Sequence, residues 1–105
     1  MNTTGSLDEV LRRALADGAL GMTLRTRERT VVYFAKGRRS VEETCATYEE
    51  VSALLQHLMT SRERRFFRER GVVHFKRAFA DGIELLGGAR MEKDDIHVEL
   101  RRMAA

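Results

Sequence analysis

An α+β fold is predicted: a five-stranded antiparallel sheet with helices on one face, in the element order α-β-β-α-α-β-β-β. Three observations predict it. Helix-opening boxes stand at Ser6-Leu7-Asp8-Glu9, Thr47-Tyr48-Glu49-Glu50 and Thr60-Ser61-Arg62-Glu63. Alternating strand-like runs lie between the first and second boxes and after the third. At 105 residues the chain is long enough for one core without staples, so it reads as a single domain over residues 1–105, with 1–5 as a flexible N-terminus.

The first helix follows its box, with Leu7, Val10, Leu11, Ala14 and Leu15 at helical spacing and Arg12 and Arg13 opposite. Asp17-Gly18 ends it, because glycine adopts the left-handed position beyond a helix terminus without strain. A hairpin comes next. Met22 and Leu24 alternate with Thr23 and Arg25, a charged turn surrounds Arg27-Glu28-Arg29, and Thr30 to Lys36 is rich in Val, Tyr and Phe. Tyr33 is the aromatic expected on the exposed side. Residues 38–46 carry no strong pattern and read as a loop.

Helix two is predicted from about Tyr48 to Met59, with Val51, Leu54, Leu55 and Leu58 as its apolar stripe. Helix three, Ser61 to Arg70, offers only Phe66 and Phe67 to the core and must be an outer helix; Gly71 closes it. In each box the Thr hydroxyl accepts a backbone N–H three residues on, and the Glu reaches back to the Thr N–H. A three-strand meander finishes the chain. Val73, Phe75 and Phe79 share one face of the first run, with His74, Lys76 and Ala78 on the other. Asp81-Gly82 is a hairpin signal. Gly87-Gly88 inside the next run implies a bulge or something packed close to the backbone. In the last run Ile96, Val98 and Leu100 point inward and His97, Glu99 and Arg101 outward. This order is the layout of PAS-like folds, in which the hairpin pairs with the last strand of the meander.

Chemistry-bearing motifs are sparse. No Gly-rich phosphate loop appears, and Gly87-Gly88 lacks both the following helix and the lysine such loops need. The three histidines and Cys45 show no metal-ligand spacing. No nucleophile has a base and orienting acid nearby in sequence, so no catalytic residue, metal or cofactor is expected, and the protein reads as non-enzymatic. A single cysteine and the lack of a signal or spanning segment lead to the expectation of a cytoplasmic protein without membrane insertion.

The net charge is +3, and 16 of the 19 basic residues are Arg, a skew that fits either codon usage in a GC-rich genome or phosphate recognition by guanidinium forks. The densest charge feature is Arg62, Arg64, Arg65, Arg68 and Arg70. It reads either as a solvated outer face whose stems cover Phe66 and Phe67, or as a site for an anionic partner.

Thr47-Tyr48-Glu49-Glu50-Val51, then Leu54-Leu55 and Leu58-Met59-Thr60, then Arg62-Glu63-Arg64-Arg65-Phe66, together with Leu7 to Leu24 and Gly37, resemble the N-terminal domain of the pilus-retraction (PilT-like) ATPases of the type II/IV secretion superfamily. The likeness covers roughly residues 6–103. It departs from the family at Leu20-Gly21 and Thr23, where the family has a Ser-Asp pair and a His, and at Leu85-Leu86-Gly87-Gly88, where it has an Arg-Phe-Arg signature. The resemblance implies a free-standing, diverged copy of the domain without the ATPase core. In the family that domain packs against an adjacent subunit, which implies an interaction module here.

The leading expectation is a non-enzymatic protein-interaction module, an accessory or regulator of a type IV pilus or secretion motor. Its expected contact residues are Arg62, Arg64, Arg65 and Arg68 on the helix and Lys76, Arg90, His97, Glu99 and Arg101 on the outward sheet face. A homo-oligomer through a sheet edge or an apolar helix face stays open. The alternatives are a nucleic-acid or anionic-ligand domain using the Arg-rich helix, and a small-molecule-sensing PAS-like domain.

Overall fold

The computed structural model describes residues 7–35, 39–79 and 82–103. The elements are α1 (Leu7–Ala16), β1 (Gly21–Arg25), β2 (Thr30–Ala35), β3 (Arg39–Glu43), α2 (Tyr48–Leu58), α3 (Ser61–Arg70), β4 (Val72–Ala78), β5 (Glu84–Glu92) and β6 (Asp95–Arg102). The strands form one antiparallel sheet in the order β3-β2-β1-β6-β5-β4. The hairpin β1–β2 joins the last meander strand as expected, with Met22 opposite Leu100 and Leu24 opposite Val98.

The sheet has six strands, not five, and the element order gains a third strand before α2. Residues expected to be a loop contain β3, which pairs with β2 through Val41 opposite Tyr33. An edge strand needs only one partner and little apolar surface. Here Val41 is the one large apolar side chain of Arg39-Ser40-Val41-Glu42-Glu43, so no alternation announces the strand.

All helices cover one face. The core joins Leu7, Leu11 and Leu15 of α1 and Val51, Leu55 and Leu58 of α2 to the inward side chains of the strands. Leu24, Val31 and Val98 are wholly inaccessible there. The paired neighbours Met22–Tyr33 and Leu24–Val31 set the inward face of β2. Tyr33 is therefore buried, and Phe34 is the aromatic that faces outward, reversing the expectation. The run Val31-Val32-Tyr33-Phe34 is apolar at every position, so its own pattern cannot choose a face.

Helix ends explain how the layer is held. Thr60 and Glu63 form the complete capping box of α3: the Glu63 N–H donates to Thr60 Oγ1 at 3.2 Å and the Thr60 N–H to Glu63 Oε1 at 2.9 Å. Gly71 closes α3 at φ 76 and donates to the Phe67 carbonyl. The box of α2 is only half made. Thr47 Oγ1 accepts from the Glu50 N–H at 3.2 Å, but the Glu50 carboxylate turns away. It accepts the Leu7 N–H at 2.8 Å, at the first turn of α1. One carboxylate thus satisfies an unpaired donor on a distant helix and sits at the positive end of its dipole. Ser6 lies outside the described residues, as do Asp81 and Gly37.

The Gly87-Gly88 pair makes no bulge. Pairing runs unbroken on both sides, with Phe75 opposite Gly87 and His74 opposite Gly88. The second expectation holds: a Cβ at Gly87 would fall within 3.0 Å of three atoms of the Phe75 ring, so the ring occupies the space of the missing side chain.

Candidate interaction surface

Strand alternation leaves the opposite face of the sheet bare, and the register arranges it in three rows that run across the strands. One row is Ser40, Phe34, Gly21, Arg101, Leu86 and Lys76, Phe34 lying one step beyond the Met22–Tyr33 pair. The next is Glu42, Val32, Thr23, Glu99, Gly88 and His74. The third is Thr30, Arg25, His97, Arg90 and Val72. Gly21 and Gly88 place no side chain on this face, and Thr23 places a short one. Together they floor an open trough of about 790 Å³ whose walls include Phe34, Val72, His74 and Leu86. Among the described residues no helix covers it.

Five of the expected contact residues, Lys76, Arg90, His97, Glu99 and Arg101, come together here. Three of them have side-chain partners. Arg90 donates through Nε to Glu92 Oε2 at 2.9 Å, and His97 Nε2 lies 3.1 Å from Glu99 Oε2. The hydrogen bond from Arg90, helped by the charges of Arg90, His97 and Arg25, holds the exposed Glu92 carboxyl below its ordinary value against the opposing effect of desolvation. Lys76 and Arg101 have no partner among the described residues and point their charges into solvent.

What residue patterns missed is the apolar content of this face. Phe34 is 64% exposed, Leu86 44% and Val72 40%. The signal was present in the doubled apolar runs Val31-Val32, Tyr33-Phe34 and Leu85-Leu86. A strand covered on one side needs an apolar residue only at every second position.

The helix residues divide. Arg64 folds back onto the end of α2, donating through Nη1 to the carbonyls of Gln56 and Met59 at 2.8 and 2.9 Å and through Nη2 to Ser61 Oγ at 3.2 Å. Its donors are absorbed by the α2–α3 junction, so Arg64 belongs to the scaffold rather than to a free basic face. Arg77 of β4 completes that junction, donating through Nε to the Leu58 carbonyl at 2.7 Å and through Nη2 to Glu63. Partial burial pushes the Glu63 carboxyl up, but the Thr60 N–H and the Arg77 guanidinium outweigh it and hold the group below its ordinary value. The Arg70 guanidinium lies over the Phe66 ring, 5.6 Å from its centroid, yet Phe66 stays exposed and does not reach the core as expected. Phe67 alone of the two packs against the core. Arg62, Arg65 and Arg68 are exposed and without partners among the described residues.

Cys45 is half-buried beyond β3. Burial first, then Glu43 and Glu50, raise its thiol pKa, which disfavours the thiolate. The described residues contain no group of three or more His, Cys, Asp or Glu side chains placed to hold a metal ion. No helix among them is long and apolar enough to cross a membrane.

No family model and no curated protein matches the chain by sequence. Among solved structures, the pilus retraction motor PilT with bound ADP is similar, with a TM-score of 0.75 over 97% of this chain at 18% identity. The chain spans 30% of that motor's length. The fold implied by the residues' resemblance, that of a domain of the PilT-like pilus-retraction ATPases, is the fold this chain has.

Proposed function

We propose that this protein is a non-enzymatic interaction module that works with a pilus or secretion motor, as an accessory or regulator. Its two contact surfaces are the bare sheet face, with Lys76, Arg90, His97, Glu99 and Arg101, and the outer edge of α3, with Arg62, Arg65 and Arg68. The observation that carries this reading is the uncovered sheet face. A motor-domain fold closed by helices on one side exposes three large apolar side chains and a glycine-floored trough on the other. Exposed apolar residues gathered on one face mark an interaction site more often than a solvated surface.

The test is capture of a purified pilus-retraction motor by the full chain. Wild type is expected to bind. A variant carrying Leu86→Asp with Arg62→Glu, Arg65→Glu and Arg68→Glu is expected to lose capture while keeping its unfolding midpoint. Absence of binding by wild type, or full binding by the variant, overturns the reading.

The free arginines of α3 favour a second reading, an anionic partner such as nucleic acid. Binding would then fall steeply between low and moderate salt, as counterion release requires. Absence of association with single- or double-stranded nucleic acid at low salt removes it.

A further inference from the structure

We infer that the partner docks on the bare sheet face through an acidic amphipathic helix, laid across the strands in the glycine-floored trough. The inference rests on the interaction-module reading and names the chemistry of the partner surface that this face takes.

The register gives the trough its direction. The middle row supplies the floor: Thr23 on β1 and Gly88 on β5 stand low, with Glu99 between them on β6. The first row forms one bank, with Phe34, Arg101 and Leu86, and the third row the other, with His97, Arg90 and Val72. The floor therefore runs across the strands. Opposite banks lie two rows apart on one strand, as Leu86 and Arg90 do on β5, which is about 13 Å at the rise of an extended chain. An α-helix with its side chains is roughly 10–12 Å across and fills that width. A single extended strand, whose neighbours in a sheet lie about 4.8 Å away, leaves it mostly empty.

Charge sets the sign of that helix. The three rows carry Arg25, Lys76, Arg90 and Arg101 against the carboxylates Glu42 and Glu99. Glu99 Oε2 lies 3.1 Å from His97 Nε2, and Arg90 is held by Glu92, outside the three rows. Lys76 and Arg101 on one bank and Arg25 on the other have no ion pair among the described residues. Cations on both banks, interleaved with the exposed Phe34, Leu86 and Val72, match a helix with an apolar stripe flanked on both sides by Asp or Glu. The strand spacing also fixes the pattern of the stripe. Thr23 and Gly88 are two strands apart, about 10 Å. Helix residues seven apart lie on one side and about 10.5 Å apart along the axis, so large apolar side chains at i and i+7 enter these two low positions. Glu42 closes the floor row on β3, and its charge stops an acidic helix at β2. From β2 to β4 is four spacings, about 19 Å or about 13 residues of helix.

Selection from a displayed library of random peptides about 18 residues long, with the full chain as bait, tests the chemistry. Enriched sequences are expected to be acidic, with apolar residues at three- and four-residue spacing. The tightest of them, made synthetically, is then titrated by fluorescence anisotropy. Gly88→Leu, which fills the floor, is expected to weaken binding tenfold or more, and so is Lys76→Glu combined with Arg101→Glu. Urea midpoints check that both variants fold. Replacing the acids of the peptide by lysines is expected to abolish binding to wild type and restore it to the charge-reversed variant, a rescue that does not depend on Gly88→Leu folding. Arg62→Glu, Arg65→Glu and Arg68→Glu on α3 are expected to leave the affinity unchanged. Enrichment of basic or neutral sequences, or of sequences alternating with period two, overturns the inference. So does binding that neither the charge reversal nor the filled floor weakens, or tighter binding of this face to a single-stranded oligonucleotide than to the peptide. No motor is present in these measurements. An acidic helix bound by a chain that captures no motor removes only the functional reading. A motor captured equally well after Gly88→Leu and after the charge reversal removes only this inference.

Discussion

The two faces of this sheet are built from the same strands, often from adjacent residues, yet they do different work. On the helix-covered face Leu85 is buried at 1% exposure, and Gly87 yields its space to the Phe75 ring. One residue further along in each case, Leu86 stands 44% exposed and Gly88 floors an open trough. The segment Leu85-Leu86-Gly87-Gly88 therefore interleaves residues that hold the fold with residues that shape a surface. Residue type alone does not distinguish a buried leucine from an exposed one. The cover on each face does.

That contrast can be broken most severely at Leu85. Leu85→Ala is expected to cost about 2–5 kcal/mol of unfolding free energy, the range for a large-to-small change in a packed core. Leu86→Ala is expected to stay within about 0.5 kcal/mol, as an exposed site does. Urea unfolding at sub-micromolar protein, where any association is negligible, checks both. The glycines repeat the comparison at lower amplitude. Gly87→Ala forces the Phe75 ring aside and is expected to cost about 1–3 kcal/mol. At Gly88 the nearest atom is His74 Cδ2 at 3.3 Å, on an exposed side chain that can move, so Gly88→Ala should cost well under half as much.

The helix layer offers its own contrasts. Glu50→Ala removes the acceptor of the Leu7 N–H and is expected to cost about 1 kcal/mol, the usual worth of a helix cap. Glu50→Gln should recover part of it, since the hydrogen bond survives and the charge does not. At the α2–α3 junction, Arg77→Met is expected to cost about 1–2 kcal/mol at neutral pH. Glu63 has a lowered pKa in the folded protein, so its stabilisation is fully present above the ordinary carboxylate pKa and is lost as pH falls through the folded value. The penalty of Arg77→Met should therefore shrink as pH drops below about 4. Wild-type and variant unfolding free energies measured between neutral pH and pH 3 check the sign. The smallest effect is expected on α3, where Arg65→Glu and Arg68→Glu should leave stability within about 0.5 kcal/mol.

Much of this architecture is legible in the residues, for local reasons. Thr60, Glu63 and Gly71 delimit α3 because each satisfies its own end of the helix. The alternation of Ile96, Val98 and Leu100 fixes the face of β6 because the intervening residues are polar. What sequence could not supply depends on distant partners. Nothing within Thr47–Glu50 says that the Glu50 carboxylate will serve α1 instead of its own helix. Only the neighbour Met22 decides that Tyr33 goes in and Phe34 out. Five of the expected contact residues do share the bare face, because strand parity is local. The scaffold role of Arg64 is hidden in the sequence because its acceptors, the Gln56 and Met59 carbonyls, come within reach only where α3 follows the end of α2.

Binding of the full chain to a purified pilus-retraction motor, measured by titration, tests the interaction-module account most directly. Wild type is compared with the variant carrying Leu86→Asp, Arg62→Glu, Arg65→Glu and Arg68→Glu. The account predicts saturable binding by wild type and at least tenfold weaker binding by a variant whose urea midpoint is unchanged. Equal affinity for the two proteins, or no binding by wild type, would contradict it.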